Sequence, residues 1–431
     1  MKFSSLKFLC VICLALCILF LSYDVNADST AKPVFNNISL QSHKKHKDKK
    51  HKDKSDSSSD SSSSDSSSDS SSSSDSSSSS DSSSSSDNSS SSSSACHVTE
   101  YANVASAVSS CSEILIDGVV VPAGKTLYLT GLANNAIVTF AGNTTCGYSL
   151  WTGPLISIKG KNITVTGQEG HVIDGQGAKW WDGKGSNGGK KKPKFFAAHG
   201  LTNSHISYLN VLNTPVQGFS IASCSNVVLD HITLNNTAGS VNNIGHNTDA
   251  FDIGTSTGVV ITNAWVHNQD DCLAINSVDG LRFENNYCAG GHGASIGSVG
   301  LRSDNVVENV YINNINIVDS QNGVRVKTIY DATGSVKNVT YSNIVLNNIS
   351  DYGIVVEGDY ENGSPKGTPT GGVPITQLYL HNVTGTVAKG GINKYILVEN
   401  ASEWVWTDID VIGGTKHKNC TGIPANSGAS C

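Results

Sequence analysis

Short runs of alternating apolar and polar residues recur from residue 206 onward, and most carry an Asn or Asp near their centre. This alternation has the period of a β-strand with one buried face. The first six runs begin at intervals that suit stacked structural repeats, which are roughly 20 to 50 residues long. The runs are ISYLNV from Ile206, VVLDHITL from Val227, VVITNAWV from Val259, LRFENNYC from Leu281, VYINNINI from Val310, VTYSNIVL from Val339 and LYLHNVTG from Leu378. The pattern predicts one short strand per repeat.

Repeats of this length indicate units that stack on one another and bury a common core. The chain from residue 95 to 431 is rich in Gly and Asn and has few helical patterns. We therefore expect an all-β, single-stranded, right-handed parallel β-helix, a solenoid. A leucine-rich horseshoe would need a regular Leu and Asn spacing that the sequence lacks. Residues one coil apart in a β-helix lie about 4.8 Å apart, so distant residues become neighbours.

Three segments of different composition precede this region. In residues 1–27, Lys2 and Lys7 flank an apolar run, and VNA ends at Ala27, which predicts a secretory signal peptide rather than a signal anchor. Residues 28–54 include the basic tract HKKHKDKKHKDK, and residues 55–94 are almost pure Ser interrupted by Asp. Residues 55–94 have nothing apolar to bury, and we expect a disordered spacer. The basic tract is either a solubilising linker or a binder of polyanions.

A secreted, extracellular location changes the interpretation of the cysteines. Eight remain after the signal peptide is removed, and none forms a close CxxC pair, so we expect disulfides and no metal. Glycosylation sequons, among them those that begin at Asn143, Asn162, Asn338 and Asn382, also suit a secreted surface. We expect no nucleic acid partner and no membrane association once the signal is cleaved.

The segment WVHNQDDCLAIN places two carboxylates, Asp270 and Asp271, within an otherwise apolar run. Buried charge is costly unless it is paired or used. In a straight strand the two would face opposite sides, so the strand must bend or end there. Asp249 precedes Asp270 by about one coil, and His292 follows Asp270 by a nearly equal interval. Arg325 follows on the next coil, with Lys327 on the same face.

These coil-length steps predict that three acids, an imidazole and two cations meet on one patch. Hydrolysis of a glycosidic bond needs a proton donor for the leaving oxygen and a carboxylate that activates water. Crowded carboxylates cannot all ionise together, so the pKa of at least one rises. The patch therefore suits acid–base hydrolysis.

The motifs NTD, QDD, GHG and RVK, in this order and spacing, resemble the four motifs of the polygalacturonases, the pectin-cleaving glycoside hydrolases. The resemblance extends from about Cys96 to Cys431 and is strongest to microbial endo-acting members. It implies that Asp270 is the general acid and that Asp249 and Asp271 hold the attacking water. It also implies that His292 keeps Asp270 correctly protonated and that the reaction inverts the anomeric carbon.

The resemblance further implies substrate contacts from Asn247, Gln269, Arg325, Lys327 and Tyr360. Arg325 and Lys327 would bind the carboxylate of galacturonate. Tyr360 could equally be a packed loop residue. Trp180 and Trp181 either line the mouth of the cleft or pack within a loop.

By the same resemblance, disulfides are expected for Cys96–Cys111, Cys272–Cys288 and Cys420–Cys431. Cys146 and Cys224 have no such precedent, so they either bond across the solenoid or stay buried and free. We expect a monomer without a cofactor.

Three functions suit the sequence to different degrees. The first is hydrolysis of the α-1,4-galacturonosyl linkages of polygalacturonate. The second is a pectate lyase of the same fold, in which the acids would hold Ca²⁺. The third is a wall-polymer-binding protein that keeps the groove without turnover, which would require a broken catalytic set.

Overall fold

A computed structural model describes residues 96–363 and 365–431 of the chain. The proposed signal peptide, basic tract and Ser/Asp spacer lie outside the described residues. Within them, no helix combines the length and apolarity needed to cross a membrane.

The described residues form short parallel strands with very few helices. The helices are α1 (Val104–Ser110) and α2 (Thr237–Ser240), with 3₁₀ turns at Tyr101–Asn103, Gly177–Lys179 and Val241–Asn243. The strands are β1 (Cys96–Val98), β2 (Glu113–Asp117), β3 (Val120–Val121), β4 (Leu127–Leu129), β5 (Ile137–Ala141), β6 (Asn143–Cys146), β7 (Ile156–Lys161), β8 (Thr164–Gly167), β9 (Val172–Asp174), β10 (Phe196–Ser207), β11 (Asn210–Leu212), β12 (Phe219–Ala222), β13 (Ser225–Asp230), β14 (Thr233–Asn235), β15 (Phe251–Gly254), β16 (Ser256–Thr262), β17 (Trp265–His267), β18 (Leu273–Ile275), β19 (Val278–Ala289), β20 (Ala294–Val299), β21 (Val306–Val318), β22 (Asn322–Ile329), β23 (Ser335–Ile349), β24 (Tyr352–Tyr360), β25 (Ile375–Val387), β26 (Ile392–Leu397), β27 (Ala401–Ser402) and β28 (Val405–Ile412).

The strands stack in three parallel columns, one strand of each column per coil. The column that carries the site, called the cleft sheet below, runs β4, β7, β10, β12, β15, β18, β20, β22, β24 and β26. A second column runs β1, β2, β5, β8, β10, β13, β16, β19, β21, β23, β25 and β28, and a third begins β3, β6, β9, β11, β14, β17. From β19 onward the long strands serve both of these columns. The predicted parallel β-helix is confirmed.

The sequence repeat matches the observed stacking closely. The runs that begin at Val227, Val259, Leu281, Val310, Val339 and Leu378 pair residue for residue. The first run is displaced, because Ser204 rather than Ile206 lies opposite Val227. The central residues Asn285, Asn314 and Asn343 lie inside β19, β21 and β23 and have positive φ, so each long strand bends there. Asn tolerates this backbone conformation better than most residues, which explains its recurrence at the repeat.

The interior of the solenoid is a continuous apolar core. Phe196, Phe219 and Phe251 occupy one register position on successive coils, and their rings pack with centroids 5.1 and 5.6 Å apart. Helix α1 contributes Val104, Ala107 and Val108 to the N-terminal end of the core. A solenoid needs such a cap, because its last coil would otherwise expose apolar residues.

Three disulfides join the pairs named from the resemblance, Cys96–Cys111, Cys272–Cys288 and Cys420–Cys431. The two remaining cysteines of the described residues, Cys146 and Cys224, are free and buried. Burial raises the pKa of the Cys146 thiol to about 12. Such thiols stay protonated and unreactive at ordinary pH, so both serve as small core residues.

Candidate active site

A cavity of about 580 Å³ opens on the outer face of the cleft sheet. Eight of the nine residues predicted for catalysis or substrate contact line it: Asn247, Asp249, Asp270, Asp271, His292, Arg325, Lys327 and Tyr360. Arg325 and Lys327 share the outer face of β22, while Val324 and Val326 between and beside them point into the core. The cavity therefore collects side chains from five successive coils, those of β15, β18, β20, β22 and β24.

The two adjacent acids lie in a turn, as the sequence required. Strand β17 ends at His267 and β18 begins at Leu273, so Asp270 and Asp271 stand between strands. The disulfide Cys272–Cys288 fixes the end of this turn to β19. Both carboxylates can therefore face the cavity, although a continuous strand would have separated them.

The predicted coil-to-coil steps were wrong in detail. Phe251 pairs with Leu273, so Asp249, two positions earlier, lies at the register of Asp271 rather than Asp270. Ser295 pairs with Arg325, so His292 lies before that register and is not directly beside Arg325. Coils differ in length because their turns differ in length. Counting a fixed number of residues per coil therefore does not predict which residues lie side by side.

Asp270 is held by three donors. His292 Nδ1 lies 3.0 Å from Asp270 Oδ1, Asn247 Nδ2 donates to Oδ2 at 3.1 Å, and the Asp271 backbone N–H donates to Oδ1 at 2.8 Å. Burial raises the pKa of Asp270, but the charge and hydrogen bond of His292, the charge of Lys327 and the Asp271 backbone N–H outweigh it. The net pKa lies well below the usual range.

Asp271 is the most enclosed of the three acids. Lys327 Nζ lies 2.6 Å from Asp271 Oδ2, and Ser295 Oγ donates to Oδ1 at 2.7 Å. Burial lowers the pKa of Lys327, but the Asp271 carboxylate more than compensates and raises it overall. The two charges therefore stabilise one another in a site where an unpaired charge would be costly.

Asp249 has the opposite environment. It is buried, and its Oδ1 has no hydrogen-bond partner among the described residues. Burial, together with the charges of Asp270, Asp252 and Asp271, raises the pKa of Asp249 well above its ordinary value. Of the three acids, Asp249 is therefore the one that holds a proton most readily, as expected for crowded carboxylates.

His292 is a further group of the site whose pKa is raised. Burial lowers its pKa, but the Asp270 carboxylate beside it outweighs burial and raises the pKa above 6.5. Its backbone N–H also donates to the Asp270 carbonyl at 2.7 Å. The lowered pKa of Asp270 and the raised pKa of His292 both favour the proton on the imidazole of this pair.

Arg325 is paired in a way that the sequence did not suggest. Its Nε and Nη2 donate to Glu357 Oε1 at 3.2 and 3.0 Å. Tyr360 lies over this corner of the cavity, with its ring centroid 5.4 Å from both Arg325 Cζ and Lys327 Nζ. The cation–π contacts place Tyr360 at the cavity wall rather than within a packed loop.

The structure places three residues that the sequence linked to the cleft away from the cavity: Gln269, Trp180 and Trp181. Gln269 does not line it; its amide donates to the Asn236 carbonyl at 2.7 Å and accepts from Thr248 Oγ1 at 2.9 Å. Gln269 instead connects Asn236, the residue before α2, to the turn that carries Asp270 and Asp271. Trp180 and Trp181 are buried and donate to backbone carbonyls of Ser149 and Thr214, which is loop packing.

Sequence reasoning missed Asp252, Ser295 and Glu357, which all take part in the site. Burial, opposed by Lys194 and aided by Asp271 and Asp270, raises the pKa of Asp252 to about 7. Asp252 alternates with Phe251 and Ile253 in the strand that follows the NTD motif. That alternation places Asp252 on the outer face and could have identified it. Ser295 and Glu357 become partners of the site only through stacking of the coils.

The site does not fit a calcium ion. Among the described residues, Asp270, Asp271 and His292 form the one group of potential ligands whose donor atoms lie close together, within 4.8 Å. Ca²⁺ takes six to eight oxygen ligands. Here His292 pairs with the Asp270 carboxylate and Lys327 pairs with the Asp271 carboxylate, so both carboxylates already have positive partners.

Comparisons with known proteins place the chain in one family. Residues 111–431 match the family described as glycosyl hydrolases family 28. A polygalacturonase of Penicillium digitatum is 55% identical over 340 residues, covering 78% of this chain and 92% of the relative. Endopolygalacturonase 1 of Colletotrichum lindemuthianum is 52% identical over 338 residues, covering 78% and 93%.

Solved structures agree with the fold. Endopolygalacturonase I of Stereum purpureum, complexed with two galacturonates, has a TM-score of 0.69 and 35% identity, covering 74% of this chain and 95% of that one. An endo-xylogalacturonan hydrolase of Aspergillus tubingensis shares the fold at a TM-score of 0.65 and 24% identity, covering 78% and 98%. The resemblance to polygalacturonases is confirmed: the chain belongs to glycosyl hydrolases family 28.

Proposed function

We propose that the chain hydrolyses the α-1,4 linkages of polygalacturonate by an endo-acting, inverting, acid–base mechanism. The observation that carries the proposal is the meeting of Asp249, Asp270, Asp271 and His292 in one cavity beside Arg325 and Lys327. The similarity to fungal endopolygalacturonases supports the substrate and the endo action.

The acid role belongs to Asp270 together with His292. His292 Nδ1 lies 3.0 Å from Asp270 Oδ1, so a proton can pass from the imidazole to the carboxylate. Asp270 passes a proton to the leaving glycosidic oxygen as the bond from that oxygen to the anomeric carbon breaks. His292 supplies this proton, because the raised pKa of His292 and the lowered pKa of Asp270 favour the proton on the imidazole of the pair.

The base role belongs to Asp271 and Asp249. A water held between them attacks the anomeric carbon, and its proton passes to a carboxylate. Lys327 and Ser295 hold the Asp271 carboxylate in place and pair its charge. Asp249 must lose its own proton before it can accept hydrogen bonds from the water as a carboxylate. The attacking water and the acid then act from opposite faces of the sugar, which inverts the configuration.

Substrate choice rests on the cations near Tyr360. Lys327 uses one donor on Asp271 and Arg325 donates to Glu357, which leaves further N–H groups for a sugar carboxylate. A neutral or methyl-esterified sugar would leave these donors without a charged partner. Cations at this corner therefore favour galacturonate.

Release of reducing ends from polygalacturonate tests the function directly. Wild-type protein should release them, and Asp270→Asn should not. A lyase would instead produce an ultraviolet-absorbing double bond and stop on chelation. A binding protein would retain the polymer and release nothing, and either result would reject the proposal.

We further propose that the chain is secreted and acts as a monomer, with residues 95–431 as the catalytic domain. The signal-like N-terminus and the sequons support secretion. Asn143, Asn338 and Asn382 are exposed on the solenoid, where a glycan could attach. Residues 28–94 would act outside catalysis, as a spacer or as a surface anchor.

A further inference from the structure

The loop of residues 182–192 reaches the cavity at Asn247, one of the residues that line it. Ser186 donates its backbone N–H to Asn247 Oδ1 at 3.0 Å. Gly185 approaches so closely that a Cβ at this position would lie 2.3 Å from the same oxygen. The loop therefore contacts the side chain that donates a hydrogen bond to Asp270.

A largely buried ion pair closes this loop on itself. Lys192 Nζ lies 2.8 Å from Asp182 Oδ1, and the Lys192 side chain is only 2% exposed. The Asp182 carboxylate also accepts from the backbone N–H groups of Lys184 at 3.1 Å and Lys190 at 2.8 Å. Burial raises the pKa of Asp182, but Lys192 and the two backbone donors outweigh burial and lower the pKa to about 2. One carboxylate therefore joins the beginning of the loop to its end.

The side chain of Asn247 has one accepting atom and one donating group, and the loop uses the acceptor. Because Oδ1 accepts from Ser186, Nδ2 faces Asp270 and donates to its Oδ2 at 3.1 Å. His292 and the Asp271 backbone N–H both bind the other oxygen of Asp270, Oδ1. Among the described residues, Asn247 is thus the one hydrogen-bond donor to Asp270 Oδ2. Without the Ser186 donor, the Asn247 amide is free to rotate away from the acid.

We propose that Asp182 and Lys192 are positioning residues for the general acid. Their ion pair holds Ser186 where its N–H orients the Asn247 amide, and Asn247 then fixes the Asp270 carboxylate. A general acid works within hydrogen-bond reach of the leaving oxygen, so a carboxylate that turns away from this position transfers its proton more slowly. The proposal rests on the proposed function, because it takes Asp270 as the acid.

The first test replaces the buried lysine and its exposed neighbour. Lys192→Met keeps most of the side-chain volume and removes the charge, and Lys191→Met is the matched control at an exposed position of the loop. We expect Lys192→Met to lower kcat on polygalacturonate about tenfold, the effect of one hydrogen bond to a charged group, while KM changes less. Lys191→Met should leave both constants near wild type. Wild-type kinetics in Lys192→Met, or a higher KM with unchanged kcat, would overturn the proposal.

Two double variants separate positioning from loss of folding. Lys192→Met leaves the Asp182 carboxylate without its partner, so Asp182→Asn/Lys192→Met, which removes both charges, should fold and show the same loss of kcat. Asn247→Gly removes the side chain that the loop orients, and Gly accepts the positive φ of 51° at this position. Adding Lys192→Met to Asn247→Gly should lower kcat by no more than about twofold. Wild-type kcat in the first double variant, or a further loss of about tenfold in the second, would contradict the proposal.

Hydrogen exchange follows the loop without any substrate. The peptide that contains Ser186 should exchange faster in Lys192→Met than in wild type or Lys191→Met, because the ion pair no longer holds the loop. Equal exchange in the three proteins would reject the positioning role. If wild-type protein does not cleave polygalacturonate, the proposed function fails. The exchange rates and the distance from Asn247 Nδ2 to Asp270 Oδ2 in crystals of Lys192→Met still test the positioning role, and an unchanged distance would reject it.

Discussion

The two faces of the cleft sheet bury side chains by different means. On β15, Phe251 points inward and packs on Phe219, whereas its neighbour Asp252 points outward onto the cavity floor. The inner face needs only apolar residues of suitable size on successive coils. The outer face holds partly or fully buried charges, and each depends on partners that arrive from other coils or from turns.

The comparison shows which parts of the molecule tolerate change. A core position is defined by its own strand and the coils beside it. A charged residue on the outer face, such as Asp271, depends on partners far away in sequence. Lys327, 56 residues away, and Ser295 both bond to the Asp271 carboxylate. Removing one partner leaves a buried charge without compensation. Single isosteric substitutions of the buried charged residues in the cavity should therefore lower stability more than substitutions on the outer surface of the other two columns.

The largest expected effect comes from removing the acid. Asp270→Asn should lower kcat about 10²–10⁴-fold, the usual contribution of a general acid. The matched control is Asp279→Asn, an exposed aspartate on the second column that accepts from Asn309. Circular dichroism should show both variants folded, although Asp270→Asn should unfold at the lower temperature, because it removes the charge beside His292. Activity above a tenth of wild type in Asp270→Asn would remove Asp270 from the acid role.

Lys327→Ala should destabilise the fold and weaken substrate binding. Loss of the ammonium leaves the buried Asp271 carboxylate without its charge partner, which costs about 3–5 kcal/mol. Lys337→Ala, at an exposed position on β23, is the control and should change stability by about 0.5 kcal/mol or less. Urea unfolding of both variants measures the difference. Equal stability would mean that Asp271 and Lys327 contribute nothing as a pair.

His292→Gln should change the pH profile as well as the rate. The raised pKa of His292 keeps the imidazole protonated above pH 6.5, so wild-type kcat/KM should fall on the alkaline side as this proton is lost. The raised pKa of Asp249 sets the acidic side, because the base must be ionised. In His292→Gln the alkaline limb should disappear or move while the acidic limb stays. An unchanged alkaline limb would assign it to another group.

Asp252→Asn should produce the smallest effect, visible in stability against pH. The folded pKa of Asp252, about 7, lies above its unfolded value, so folding retains a proton that the unfolded chain releases. This contribution is present below about pH 4 and is lost as pH rises through about 7. The urea midpoint of wild type should therefore decline across that range more than that of Asp252→Asn. Parallel curves would show that Asp252 ionises normally.

The fold was largely predictable because each repeat carries its own signal. Val227, Val259 and Leu281 are apolar positions of alternating strands, and a strand that slipped by one residue would turn its apolar side outward. Six of the residues that meet in the cavity were predictable because they belong to motifs about one coil apart: Asp249, Asp270, Asp271, His292, Arg325 and Lys327. The exact register of Asp249 was not predictable. The turns between strands vary in length, and no apolar pattern in a turn shows how long it is.

Pairings between coils were the part that sequence could not provide. Arg325 and Glu357 are separated by 32 residues, and nothing in either strand marks the other as its partner. Gln269 precedes Asp270 and Asp271 in sequence, yet hydrogen bonds to Asn236 and Thr248 hold its side chain away from the cavity. The direction of a side chain in a turn depends on local hydrogen bonds. The alternation of apolar and polar residues carries no information about those bonds.

The configuration of the first product formed from polygalacturonate is the most direct test of the account. Proton NMR can follow the anomeric signal of newly released reducing ends before they equilibrate in solution. The arrangement of Asp249 and Asp271 opposite the Asp270–His292 pair predicts that the β-anomer appears first and that no unsaturated product forms. An initial α-anomer would contradict the separation of acid and base, and unsaturated products would contradict hydrolysis itself.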